Sequence, residues 1–126
     1  MINEDYITED YVSYEVAKLL KDKGFNIECN TAYYNGRLID YTMYGFCGVL
    51  DFIFAPTHQM AMKWLREKHD LHIIAYPYKA DNDKKWCCQV FRTYNLLGYE
   101  QYTDETLDSY EEAVEAALKY VLENLI

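Results

Sequence analysis

The apolar positions of this chain change their period several times, and each change marks an element. In YEVAKLLKDKG, Val16, Ala17, Leu19 and Leu20 share one helical face, while Lys18, Lys21 and Lys23 suit its polar, C-terminal side. Ser13 precedes the stripe as an N-cap, and Glu15 lies in the first turn. Gly24 supplies the left-handed residue that ends such a helix, leaving Phe25 to fold back on the last turn. A second stripe runs through Met60, Ala61, Trp64 and Leu65. Either Pro56 occupies the first turn of that helix or Thr57 caps it, and Asp70 is the expected stop. Trp64 then reads as an anchor of the core. The third stripe is Val114, Ala117, Leu118, Val121 and Leu125, opened by a Ser109–Glu112 capping box with Glu111 beside it.

Elsewhere the period falls to two. TAYYNGRLIDY places Asn35-Gly36, the preferred pair of a type I′ turn, between β-forming flanks, and so predicts a hairpin. Gly45 and Gly48 loosen the start of YGFCGVLDFIF, and Val49 to Phe54 then alternate as a short strand or extended approach with one apolar face. LHIIAYPY alternates as a strand with Pro77 near its end or on an edge; after the polar turn KADNDKK, WCCQVFRTY follows as its antiparallel partner. NLLGYEQYTDET reads as a connection. The order is helix, hairpin, possible strand, helix, hairpin, helix. That predicts one α+β domain over residues 1–126, an antiparallel sheet from two hairpins with three helices packed mainly on one face.

Composition adds a surface. Fourteen of the 126 residues are Tyr, whose apolar ring and polar tip suit half-buried sheet faces and contact surfaces. Tyr76, Tyr78 and Trp86 on the second hairpin form the candidate interaction patch. The formal net charge is −9 and is unevenly placed. From Tyr99 onward eight carboxylates face one lysine, Lys119, while the rest of the chain is nearly balanced. No basic stripe exists to neutralise phosphates, so direct nucleic-acid binding is not expected. The acidic end suits solvent, or a basic protein partner. MINEDYITED is acidic and lacks the apolar run of a signal peptide, and no segment approaches the about 18 apolar residues of a membrane span. A cytoplasmic protein is expected.

Candidate chemistry is thin. The four cysteines Cys29, Cys47, Cys87 and Cys88 include no CxxC pair, and the adjacent two would face opposite sides of a strand, so reduced, packed thiols are expected. His58 and His69 lie at opposite ends of one helix, roughly 16 Å apart along its axis, which disfavours a shared metal with His72. Asp51, set among Val, Leu and Phe, is expected to point to solvent or cap a turn. No nucleophile elbow and no phosphate-cradling glycine loop is present, and no cofactor is expected. The enzymatic alternative is a Cys88–His72 pair across the second hairpin, which depends on its register.

The stretch PTHQMAMKWLREKHDLHI resembles a family of small phage and prophage proteins of gut anaerobes. The likeness is carried by Pro56, Thr57, Ala61, Lys63, Trp64, Leu65, Arg66, Glu67 and His69, and extends to VSYEVAKLLKDKGF and SYEEAVEAAL. The resemblance implies a phage or mobile-element accessory protein and brings no catalytic residue. The expected function is therefore non-enzymatic, through a protein partner or a second copy of the chain.

Overall fold

A computed structural model describes residues 8–43, 51–80, 83–93, 100–101 and 106–126. The three helices form where the stripes placed them. Helix α1 spans Tyr14–Asp22, with Ser13 Oγ accepting from the Val16 amide at 3.1 Å. It ends in the paired bonds of a Schellman turn, Phe25 N–H to Leu20 C=O at 2.9 Å and Gly24 N–H to Lys21 C=O at 3.1 Å, with Gly24 at φ 100°. Helix α2 spans His58–His69, and of the two possible starts it takes Thr57 as its cap. Asp70 ends it in the left-handed region, at φ 51°. Helix α3 spans Tyr110–Asn124 behind Ser109, whose hydroxyl accepts from the Glu112 amide.

The strands divide into two antiparallel sheets. β1 (Thr31–Tyr34) and β2 (Arg37–Asp40) are the Asn35-Gly36 hairpin, with φ of 52° and 76° at the turn residues. β3 (Ile53–Phe54) joins the other edge of β1, giving the order β2-β1-β3. Among the described residues of the expected 49–54 strand, Ile53 and Phe54 are the paired ones; Gly45, Gly48, Val49 and Leu50 lie outside the described residues. β4 (His72–Ala80) and β5 (Asp83–Phe91) form the second hairpin, with β6 (Glu100–Gln101) beyond β5. Both long strands run into the polar segment read as a turn, because main-chain pairing does not require apolar side chains at a hairpin's end. β6 lies within NLLGYEQYTDET, the expected connection; two polar residues carry no period.

Helix α3 is the hub. It packs on β4, β5, α1 and α2, while α2 also meets β4 and α1 meets β3. Its stripe, Val114, Ala117, Leu118 and Val121, is fully buried against Ile73, Cys88 and Val90 of the sheet. The smaller sheet joins the same cluster through half-buried Tyr33, Ile53 and Phe54. Lys23 Nζ and Arg92 Nη2 donate to the carbonyls of Ile126 and Leu125, tying down the far end of α3. Among the described residues, no helix is long and apolar enough to cross a membrane.

Candidate functional site

The register of the β4–β5 hairpin decides two of the expectations. Tyr76 pairs with Cys87, Tyr78 with Lys85 and Pro77 with Trp86, so Trp86 shares a face with Pro77 and not with the tyrosines. Trp86 packs against the core and meets the Tyr110 ring edge-on at 5.5 Å. Tyr78 stands 47% exposed on the outer face, with Tyr76 half-buried beside it. The structure thus brings Tyr76 and Tyr78 together and places Trp86 on the opposite face. The outer edge of β4 is also blunted. Trp86 gives both its N–H and its C=O to Leu107, so its pair with Pro77 carries no ladder bonds. Pro77 therefore turns its nitrogen toward the free edge and removes a donor from it.

The same register separates Cys88 from His72. His72 stands opposite Phe91 and Cys88 opposite Ala75, on different faces of the strand pair. The Cys88 thiol donates to the Ala113 carbonyl at 3.3 Å and is 3% exposed. Burial, and then neighbouring Cys87, pushes it up to about 12, so it holds almost no thiolate near neutral pH. His72 instead bonds Asp70 Oδ1 through Nε2 at 2.9 Å and stacks on Phe91. Asp70 Oδ2 accepts from the Thr93 amide and hydroxyl at 3.0 and 2.7 Å. The bonds from Thr93 and then His72 hold this carboxyl below its ordinary range, and the group acts as a brace between α2 and the hairpin. Burial, and then Glu28, raises the Cys29 thiol as well. In an alkylation time course read by mass spectrometry, Cys29 should label in the folded protein and Cys88 only as the chain unfolds. Rapid labelling of Cys88 at neutral pH would restore a thiol-based reading. Cys47 lies outside the described residues.

Asp51 is exposed, as expected, and His69 packs its ring edge against Trp64 at 4.9 Å. Among the described residues no group of His, Cys, Asp and Glu has the geometry of a metal site. His58, by contrast, is buried, at 5% exposed. Three local events put it there. The Val12 amide bonds the Pro56 carbonyl at 3.1 Å and the His58 amide bonds the Asp10 carbonyl at 2.9 Å, laying residues 10–12 beside 56–58 as a short strand pair. The Thr57 cap makes His58 the first residue of α2. Its ring then meets Glu115 of α3, with Nε2 and Oε2 2.6 Å apart.

The other oxygen of Glu115 accepts from the Ser13 amide at 2.9 Å, at the start of α1. One carboxylate therefore joins the N-terminal ends of α1 and α2 to the flank of α3. Burial pushes the Glu115 carboxyl up, but the bonds from His58 and Ser13 outweigh it and hold the group below its ordinary value. The nearby charge adds to burial in raising the Tyr33 phenol, whose hydroxyl donates to the Val12 carbonyl at 2.8 Å. His58 Nδ1 is buried and has no hydrogen-bond partner among the described residues. Ser13 Oγ is committed to capping α1, so the pair has no activated hydroxyl in it.

Beside this pair opens a shallow cleft of about 450 Å³, bordered by Asp10, Tyr11, Glu15, His58, Glu111 and Glu112. Lys119 also lines it and is bonded to Glu15 at 3.0 Å. A smaller hollow of about 150 Å³ shares Asp10, His58 and Glu111 and adds Glu9. Another, of about 270 Å³, lies where Tyr11 and Met60 meet Glu9 and Glu28. The readable signal for this site was Glu115 itself, three and seven positions before Leu118 and Leu122, hence on the edge of a buried stripe. A carboxylate there needs a partner, and His58 is that partner. Comparison with protein-family models, curated proteins and solved structures returns no match for this chain.

Proposed function

We propose that this protein works by binding another protein and not by catalysis, as an accessory factor of the phage or mobile-element kind that its central motif resembles. The observation that supports this most is the gathering of carboxylates from several elements around the His58 cleft, where Lys119 is the one lysine among the described residues. Groups able to do chemistry are committed elsewhere: Cys88 to the core, His72 to Asp70, His58 to Glu115. An anionic surface of this kind speeds and selects encounters with cationic partners and repels nucleic acid. The direct test is capture from a bacterial lysate at low salt with elution by rising salt, alongside light scattering on the purified chain. A partner or second copy that binds at low salt and is released by added salt is the expected result. A monomer that retains nothing at low salt opposes the reading.

A further inference from the structure

We propose that the cleft beside the His58–Glu115 pair is a docking groove for an extended, basic segment of a partner protein; this rests on the reading of the chain as an interaction module. Three independent features meet in it. The first is charge. Seven carboxylates line the three adjoining hollows, Glu9, Asp10, Glu15 and Glu28 together with three from α3, against Lys119. Part of this acidity has a local cause, since the first turns of α1 and α3 favour carboxylates. The three helix N-termini that converge here supply together only about +1.5 elementary charges. With Lys119 they leave most of the negative charge uncompensated, and Glu9, Asp10 and Glu28 belong to no helix.

The second feature is apolar surface within the acidic rim. Tyr11 is 40% exposed and Met60 45%, and both border the hollow that holds Glu9 and Glu28. A partner that matched charge alone would leave these side chains in water. The third is backbone. The bonds flanking the Tyr11–Thr57 bridge are made by the Asp10 carbonyl and the Val12 amide, so the N–H and C=O of Tyr11 itself point away from Thr57. Neither has a partner among the described residues. A strand donor and acceptor without partners among the described residues, beside exposed apolar side chains, is what an extended peptide pairs with when it adds to a strand. His58 gives the groove a rigid wall, being buried and fixed on Glu115. A segment alternating lysine or arginine with apolar residues satisfies all three features at once: cations toward the carboxylates, apolar side chains on Tyr11 and Met60, main chain against Tyr11.

The probe is a synthetic peptide alternating lysine with valine, titrated into isotope-labelled protein and followed by NMR at low and raised salt. Amide shifts should centre on Tyr11, His58 and Glu111, and the affinity should fall with salt. A protein carrying both Glu111→Gln and Glu112→Gln should bind about tenfold more weakly, the effect of removing two surface charge pairs. Both positions are exposed and the Ser109 cap is untouched, so the fold should persist. Glu123→Gln, an exposed acid farther along α3, should bind as the parent does. Shifts confined to the Tyr76–Tyr78 face, or undiminished binding by the double variant, would overturn the placement. Spermidine binding as tightly as the peptide would overturn the choice of a protein segment. In each of these cases a partner captured from lysate would still stand, so the two ideas fail separately.

Discussion

Replacing Trp64 by alanine is expected to destabilise the protein by about 3–5 kcal/mol, the range for truncating a buried tryptophan. Trp64 is 8% exposed, on the inner face of α2. Its ring meets Phe25 edge-on at 5.4 Å and His69 at 4.9 Å. Phe25 is held in place by the Schellman turn that ends α1. The indole therefore links the C-terminal ends of two helices, and alanine would leave a cavity there that neighbours fixed by backbone bonds cannot fill. Trp64→Phe, which keeps an aromatic edge against Phe25, should recover a large part of the loss. Chemical denaturation measures both. A loss under about 1 kcal/mol for the alanine variant would mean that the ring is not the anchor its burial indicates.

The elements legible in the sequence are those whose signals are local. Ser13, Thr57 and Ser109 each cap a helix within three residues, Gly24 ends one, and Asn35-Gly36 closes a hairpin by backbone conformation alone. The α+β class followed from these together with the helical stripes. What stayed hidden depends on how distant segments meet. The register of β4 against β5 is invisible from either strand, yet a shift of one residue moves Trp86 to the face of Tyr76 and Tyr78, and Cys88 to that of His72. The candidate patch and the candidate catalytic pair both depend on that unknown; the observed register takes Trp86 away from Tyr76 and Tyr78 and separates Cys88 from His72. The pairing of His58 with Glu115 spans 57 residues and requires α2 and α3 already assembled. Sequence could mark Glu115 as a carboxylate on a buried edge, but it could not supply the histidine.

Removing that carboxylate should show how much assembly depends on it. Glu115→Ala is expected to cost about 2–3 kcal/mol at neutral pH. Deleting one member of a buried pair typically costs about 3–5 kcal/mol where both members are charged. Here the value is lower because the Glu115 side chain is 27% exposed, so water compensates part of the loss. Two groups lose their partner together, His58 Nε2 and the Ser13 amide, and the ring is then left with both nitrogens unsatisfied. Glu115→Gln keeps an acceptor for one of them and should cost roughly half as much. The dependence on pH separates charge from packing. Because the folded state holds this carboxyl below its ordinary 4.5, the stability it contributes is fully present above that value and is lost as pH falls through the lower, folded value. The gap between parent and Glu115→Ala should thus be widest near neutrality and narrow in acid. A gap that stayed constant from neutral to acid pH would mean that the contact stabilises by shape alone, and that the ionised carboxylate is not what gathers the three helix ends.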